Sequence, residues 1–165
     1  MKFCEMPYTR PDIDETKKSF DSLTERLASA KSYADAKEVF LEEQELEKHI
    51  DTLVNLVSIR HSVNTRDKFY DEEKNFWNGA MPELQEYMQK WTGAMLATPF
   101  REDFSAEYGD LMFVNAEISL KAFSPEIIPE LQRENELVQE YEKLLASAQI
   151  PFEGGAYTLS QLSPF

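Results

Sequence analysis

The sequence predicts an all-α protein: a bundle of about six helices, several long and antiparallel, followed by a short C-terminal β-hairpin. Three observations carry this. Apolar residues recur three or four apart over long stretches, the spacing of a helix with one buried face. Only 5 Gly and 8 Pro occur in 165 residues, so breaks are few and easy to place. The period changes once, after Ala148, where Gly154-Gly155 separates two short runs suited to strands, Ile150 to Glu153 and Ala156 to Leu159. The expected division is a helical lobe over 1–149, then 150–165 as the hairpin and the start of a truncated following region.

Met6 to Pro11 reads as extended, because each proline pushes its predecessor out of the helical region. Asp12 is placed to cap a first helix, with Glu15 as its reciprocal partner, and Ile13, Thr16, Phe20, Leu23, Leu27 and Ala30 share one face. Ser32 caps a second helix of roughly 27 residues, whose seam is Ala36, Val39, Phe40, Leu46, Ile50, Leu53, Val54 and Val57. Glu43 falls out of pattern in that seam and is expected at a frayed or solvent-facing turn. Thr65 and Asp67 begin a third helix that Gly79 and Pro82 break or kink before it runs on to about Ala97. A short helix from Arg101 to about Tyr108 follows. The next, from Asp110 to Phe123, is apolar on two sides and is expected to be the central, most buried one. Ser124-Pro125-Glu126 starts the last long helix, with Ile127, Leu131, Val138, Tyr141, Leu145 and Ala148 on one stripe. Gly154-Gly155 is the expected two-residue hairpin turn.

Charge and cysteine content narrow the function. With 17 Lys+Arg against 31 Asp+Glu the net charge is −14, which opposes binding to nucleic acid and to anionic membrane surfaces. No apolar stretch approaches the roughly 20 residues of a membrane span, and the first residues hold no signal-like apolar run. Cys4 is the single cysteine, as suits a reducing compartment, and a cytoplasmic protein is expected.

No complete catalytic or metal-binding set is present, so catalytic and metal residues are both read as none, and substrate-binding residues as unknown. His49 and His61 lie 12 residues apart and diverge by roughly 120° around a helix, too far to share an ion. Neither belongs to a Glu-x-x-His or His-Glu-x-x-His pattern. His49 is expected as a surface partner of Glu45, one turn back. Arg60 and His61 are expected to cap the end of the second helix, the alternative being a groove wall. Glu42-Glu43, Asp71-Glu72-Glu73 and Glu134-Asn135-Glu136 read as solvated helix faces, and the aromatic stripe Phe76, Trp77, Tyr87, Trp91 as core.

Specific strings add to this. Met6-Pro7-Tyr8-x-Arg10-Pro11-Asp12-Ile13 and Ser58-Ile59-Arg60-His61-Ser62-Val63-Asn64-Thr65 with Phe69-Tyr70-Asp71-Glu72-Glu73 resemble the N-terminal region of oligoendopeptidase F. So do Pro99-Phe100-Arg101-Glu102, Phe123-Ser124-Pro125-Glu126-Ile127-Ile128, and Glu140-Tyr141-x-Lys143-Leu144 leading to Phe152-Glu153-Gly154 and Leu159-Ser160-Gln161-Leu162. Oligoendopeptidase F is the bacterial branch of the thimet-oligopeptidase-like (M3) zinc peptidases, and the likeness runs in order through the whole sequence. It implies a cytoplasmic zinc metallopeptidase that cleaves short peptides, with this chain as part of the wall of a deep substrate channel. The zinc and its His-Glu-x-x-His helix are implied for the full-length protein, far downstream, so no catalytic residue carries over. The implied partners are the remainder of the peptidase chain and short peptide substrates. A lobe without that remainder should expose a large apolar surface. The alternatives are a stand-alone acidic helical interaction protein and a metal-dependent bundle enzyme, the latter weakened by having only two histidines.

Overall fold

The computed structural model describes residues 3–163. Met1, Lys2, Pro164 and Phe165, with the readings made on the two ends of the sequence, lie outside the described residues, as does the Cys4 side chain. The helices are α1 (Ile13–Ser29), α2 (Tyr33–Val63), α3 (Lys68–Ala97), α4 (Arg101–Tyr108), α5 (Leu111–Ala122) and α6 (Ile128–Ser147). Strands β1 (Ile150–Phe152) and β2 (Gly155–Tyr157) and a one-turn helix α7 (Leu159–Leu162) follow. The all-helical architecture with a C-terminal hairpin is as the sequence predicts.

Helices start where side-chain oxygens take up orphan N–H groups. Asp12 accepts from Glu15 N, Ser32 from Asp35 N, and Asp67 from Phe69 N and Tyr70 N. The Glu15 carboxylate pairs with Lys18 at 2.9 Å instead of closing the reciprocal box with Asp12. α2 is 31 residues, about 46 Å. Short connections make α1, α2 and α3 antiparallel neighbours, and they enclose two apolar clusters. One holds Leu23, Leu27, Ala36, Val39, Trp91, Met95, Phe104 and Phe113. The other holds Phe20, Ile50, Leu53, Val57, Trp77, Ala80 and Leu84. Leu46 packs against both. Within the aromatic stripe Trp77 and Trp91 are buried, with Phe76 and Tyr87 against the core, as expected.

Pro82 lies inside an unbroken α3. It has no N–H to give the Asn78 carbonyl four residues back. Asn135 Nδ2 of α6 fills that vacancy at 3.2 Å, and Gln132 Nε2 donates to the adjacent Gly79 carbonyl at 2.9 Å. The proline is tolerated because another helix completes its hydrogen bonding.

Several expectations are corrected. α5 is not the central helix: Phe113 alone is buried, and Leu111, Val114 and Ile118 face solvent. Ser124 precedes a 3-10 turn at Pro125–Ile127 without a side-chain cap, and α6 begins at Ile128. Pro129 cannot donate to the Pro125 carbonyl, so Ile128 N–H takes it in the tighter i to i+3 pattern. On the α6 stripe Val138, Tyr141 and Leu145 are exposed, while Gln139 is buried. The hairpin turns at Glu153-Gly154, with φ of 46° and 82°, one residue before the expected pair. Gly155 instead opens β2, where a Cβ would lie 2.7 Å from the Tyr157 ring. Leu159, read as strand, begins α7, which Thr158 and Gln161 close with a full capping box.

Candidate functional site

Three features gather the polar and apolar groups that the core does not use. The first is a clamp between the N-terminal strap and α3. Glu73, read as solvated, is 4% exposed. Its carboxylate accepts from Tyr8 Oη at 2.5 Å, Arg10 Nη2 at 2.7 Å and Arg10 Nε at 3.0 Å. Trp77 Nε1 donates to Tyr8 Oη at 3.1 Å, and the Arg10 guanidinium sits 4.5 Å over the Phe76 ring. The Arg10 hydrogen bonds hold the Glu73 carboxyl below the usual range, and burial, then Glu73, pushes the Tyr8 phenol up. A carboxylate so fully satisfied has no free lone pair for acid–base work, so it fastens the strap. Arg60 extends the same fastening: it donates to the Phe3 and Met6 carbonyls at 3.0 and 2.7 Å and to Tyr70 Oη at 2.8 Å. It therefore binds the strap, and the end of α2 is closed by the Asn64 backbone N–H instead.

The second feature is the seam between α3 and α6. Asn78 Nδ2 donates to Gln139 Oε1 at 2.5 Å, and Gln139 Nε2 to Asp71 Oδ1 at 3.0 Å. Lys143 Nζ pairs with the same Asp71 oxygen. Burial pushes the Asp71 carboxyl up, but Lys143, Gln139 and His61 together hold it below the usual range. His61, expected as a cap, is 1% exposed, and its Nε2 lies 3.3 Å from Asp71 Oδ1 without hydrogen-bond alignment or another partner among the described residues. His49 is exposed on α2 and is not joined to Glu45, which takes Lys48 at 3.1 Å.

Glu43, also expected near solvent, is 2% exposed. Burial raises its carboxyl to about 7; Gln44 Nε2, donating at 3.0 Å, pulls the other way, and the Glu47 charge adds a smaller upward push.

No group of three His, Cys, Asp or Glu among the described residues could hold a metal ion. His61 and Asp71 come nearest, but Lys143 already occupies the shared oxygen with its positive charge. The donor set among the described residues therefore does not fit a zinc site, which takes three or four converging ligands. No helix among the described residues is long and apolar enough to cross a membrane.

The remaining feature is apolar. Leu111, Val114 and Ile118 on α5 and Leu137, Val138, Tyr141, Leu144 and Leu145 on α6 are exposed. On α6 a shallow groove of about 450 Å³ is bounded by Glu130, Arg133, Glu134, Leu137, Val138 and Tyr141. An exposed apolar set of this extent is what a lobe lacking its packing partner should show.

The family model for the peptidase M3 N-terminal domain matches residues 3–123. The chain belongs to the M3 peptidase family. Against solved structures this M3 domain superposes over its full length on two proteins named as oligoendopeptidase F. One is 39% identical with a TM-score of 0.96, and the other, from Bacillus anthracis str. Ames, is 42% identical with a TM-score of 0.95. PZ peptidase A, solved with an inhibitor, is 36% identical over 99% of this chain with a TM-score of 0.95. The chain spans only 29–30% of the length of these relatives. No curated protein matches it. The catalytic region of the family is not within this M3 domain, which corresponds to the N-terminal part. Sequence reasoning missed the Glu73 clamp, although Tyr8-x-Arg10 and Asp71-Glu72-Glu73 were among the strings that carried the resemblance.

Proposed function

We propose that this chain is the N-terminal helical lobe of an oligoendopeptidase F-like zinc metallopeptidase that cleaves short peptides, and that the lobe forms part of the substrate-channel wall. The observation that carries the reading is the superposition of the whole chain, at 39% identity, on less than a third of an oligoendopeptidase F. In this reading the zinc ligands and the general base come from the rest of the peptidase, and no catalytic step is assigned to side chains of the lobe. A cytoplasmic location fits the single cysteine.

The test is substrate size. The full-length peptidase is expected to cleave short unstructured peptides, to lose that activity to a chelator, and to leave folded proteins intact. Cleavage of folded proteins at a comparable rate would contradict the channel-wall role. A full-length protein inert towards every short peptide, with and without zinc, would sink the peptidase reading in favour of an acidic interaction protein using the same apolar face.

A further inference from the structure

α6 lies on α3 with its polar side. Gln132, Asn135, Gln139 and Lys143 form one stripe, and each meets α3 through a hydrogen bond or ion pair. Leu137, Val138, Tyr141, Leu144 and Leu145 form the opposite stripe and are 38–65% exposed. At about 100° per residue the two stripes are centred roughly 165° apart. This inverts the usual arrangement, in which the apolar stripe of a helix faces its own core. Each hydrogen bond of the seam replaces bonds to water in the open state, so its net hold is modest, whereas burying the apolar stripe would hold α6 more strongly. Independently, the family match ends at Phe123, the residue that closes α5, before α6 begins.

We propose that α6 is held to the α1–α5 lobe by the weaker of its two faces, and that its apolar face docks on the remaining part of the peptidase chain. The boundary between the two bodies then runs along the α3–α6 seam, near residue 124, in place of the division expected after residue 149. This rests on the reading of the chain as a peptidase lobe. The occupant is the remainder of the same polypeptide, because the relatives on which this chain superposes carry more than twice this length again. The seam also explains the polar residues on both sides: Asn135 satisfies the Asn78 carbonyl freed at Pro82 and Gln132 donates to the adjacent Gly79 carbonyl, which fixes the register of α6.

Hydrogen exchange tests this. In the 165-residue chain the amides of α6 are expected to exchange at least 100-fold faster than those of α2 and α3, independently of protein concentration. In the full-length peptidase they are expected to slow to the level of α3, and Tyr141→Asp is expected to return them towards the fast rate while α2 and α3 stay protected. Equal protection of α6 and α3 in the 165-residue chain would overturn the weak seam. Protection that grows with concentration would put a second copy on the face and overturn the assigned occupant, as would fast α6 exchange in a full-length protein that hydrolyses peptides. Loss of hydrolysis with α6 still protected would instead count against the peptidase reading alone.

Discussion

Replacing Glu43 with glutamine is expected to raise the stability of the chain at pH 8 by about 3 kcal/mol and to change it little near pH 4. The folded chain keeps the Glu43 proton up to about pH 7, whereas the usual carboxyl loses it near 4.5. Between those values the folded state binds more protons than the unfolded state, so stability falls as pH rises and the full penalty is present above about 7. At about 1.36 kcal/mol per pH unit, the gap amounts to about 3 kcal/mol. Burial is the dominant cause, and Glu47, itself pushed upward by burial, acts in the same direction. Urea unfolding of the wild type and of Glu43→Gln at pH 4, 6 and 8 checks it. The wild type should weaken across this range relative to the variant; parallel curves would mean that Glu43 is ionised and accommodated in the folded state.

The second large effect is on packing. Phe104→Ala is expected to cost about 3–5 kcal/mol, the range for losing a buried aromatic and leaving a cavity. Phe104 is fully buried and is the one buried residue of α4. Its ring meets Tyr33 edge-on at 5.0 Å and Phe40 at 5.3 Å, so two aromatic pairs go with it. It also joins α4 to Trp91, Met95 and Phe113, and so fixes where α5 sits on α3. Phe104→Leu keeps much of the volume and should cost about 1–2 kcal/mol. Denaturant unfolding would measure both, and an alanine variant less than about 1 kcal/mol weaker would contradict the packing described.

Helix existence was legible because it depends on local chemistry. Asp12, Ser32 and Asp67 are side-chain caps that the sequence displays directly, and the α1 and α2 seams follow from spacing alone. Coverage was not legible. Periodicity says which side of a helix is apolar, but not what lies against it. Leu111, Val114 and Ile118 read as burial and are exposed; Glu43 and Glu73 read as exposure and are buried. For Glu73 the decisive neighbour is distant in sequence: Arg10 lies 63 residues away. Glu43 did carry a signal, since it interrupts an apolar seam, and such an interruption has two resolutions: a turned-out side chain or a buried acid. The hairpin turn shifted by one residue because the two glycines serve different needs, one a positive φ and the other space for the Tyr157 ring. The functional part was legible only through family resemblance, because spacing and composition point to no particular chemistry.

In the proposed reading this chain shapes a peptidase without performing its chemistry. The most direct measurement is hydrolysis of a quenched short peptide by the purified 165-residue chain in the presence of zinc, with and without chelator, beside the full-length peptidase at equal concentration. Background turnover is expected from the chain, and chelator-sensitive turnover from the full-length protein. Chelator-sensitive turnover by the 165-residue chain itself would contradict that reading.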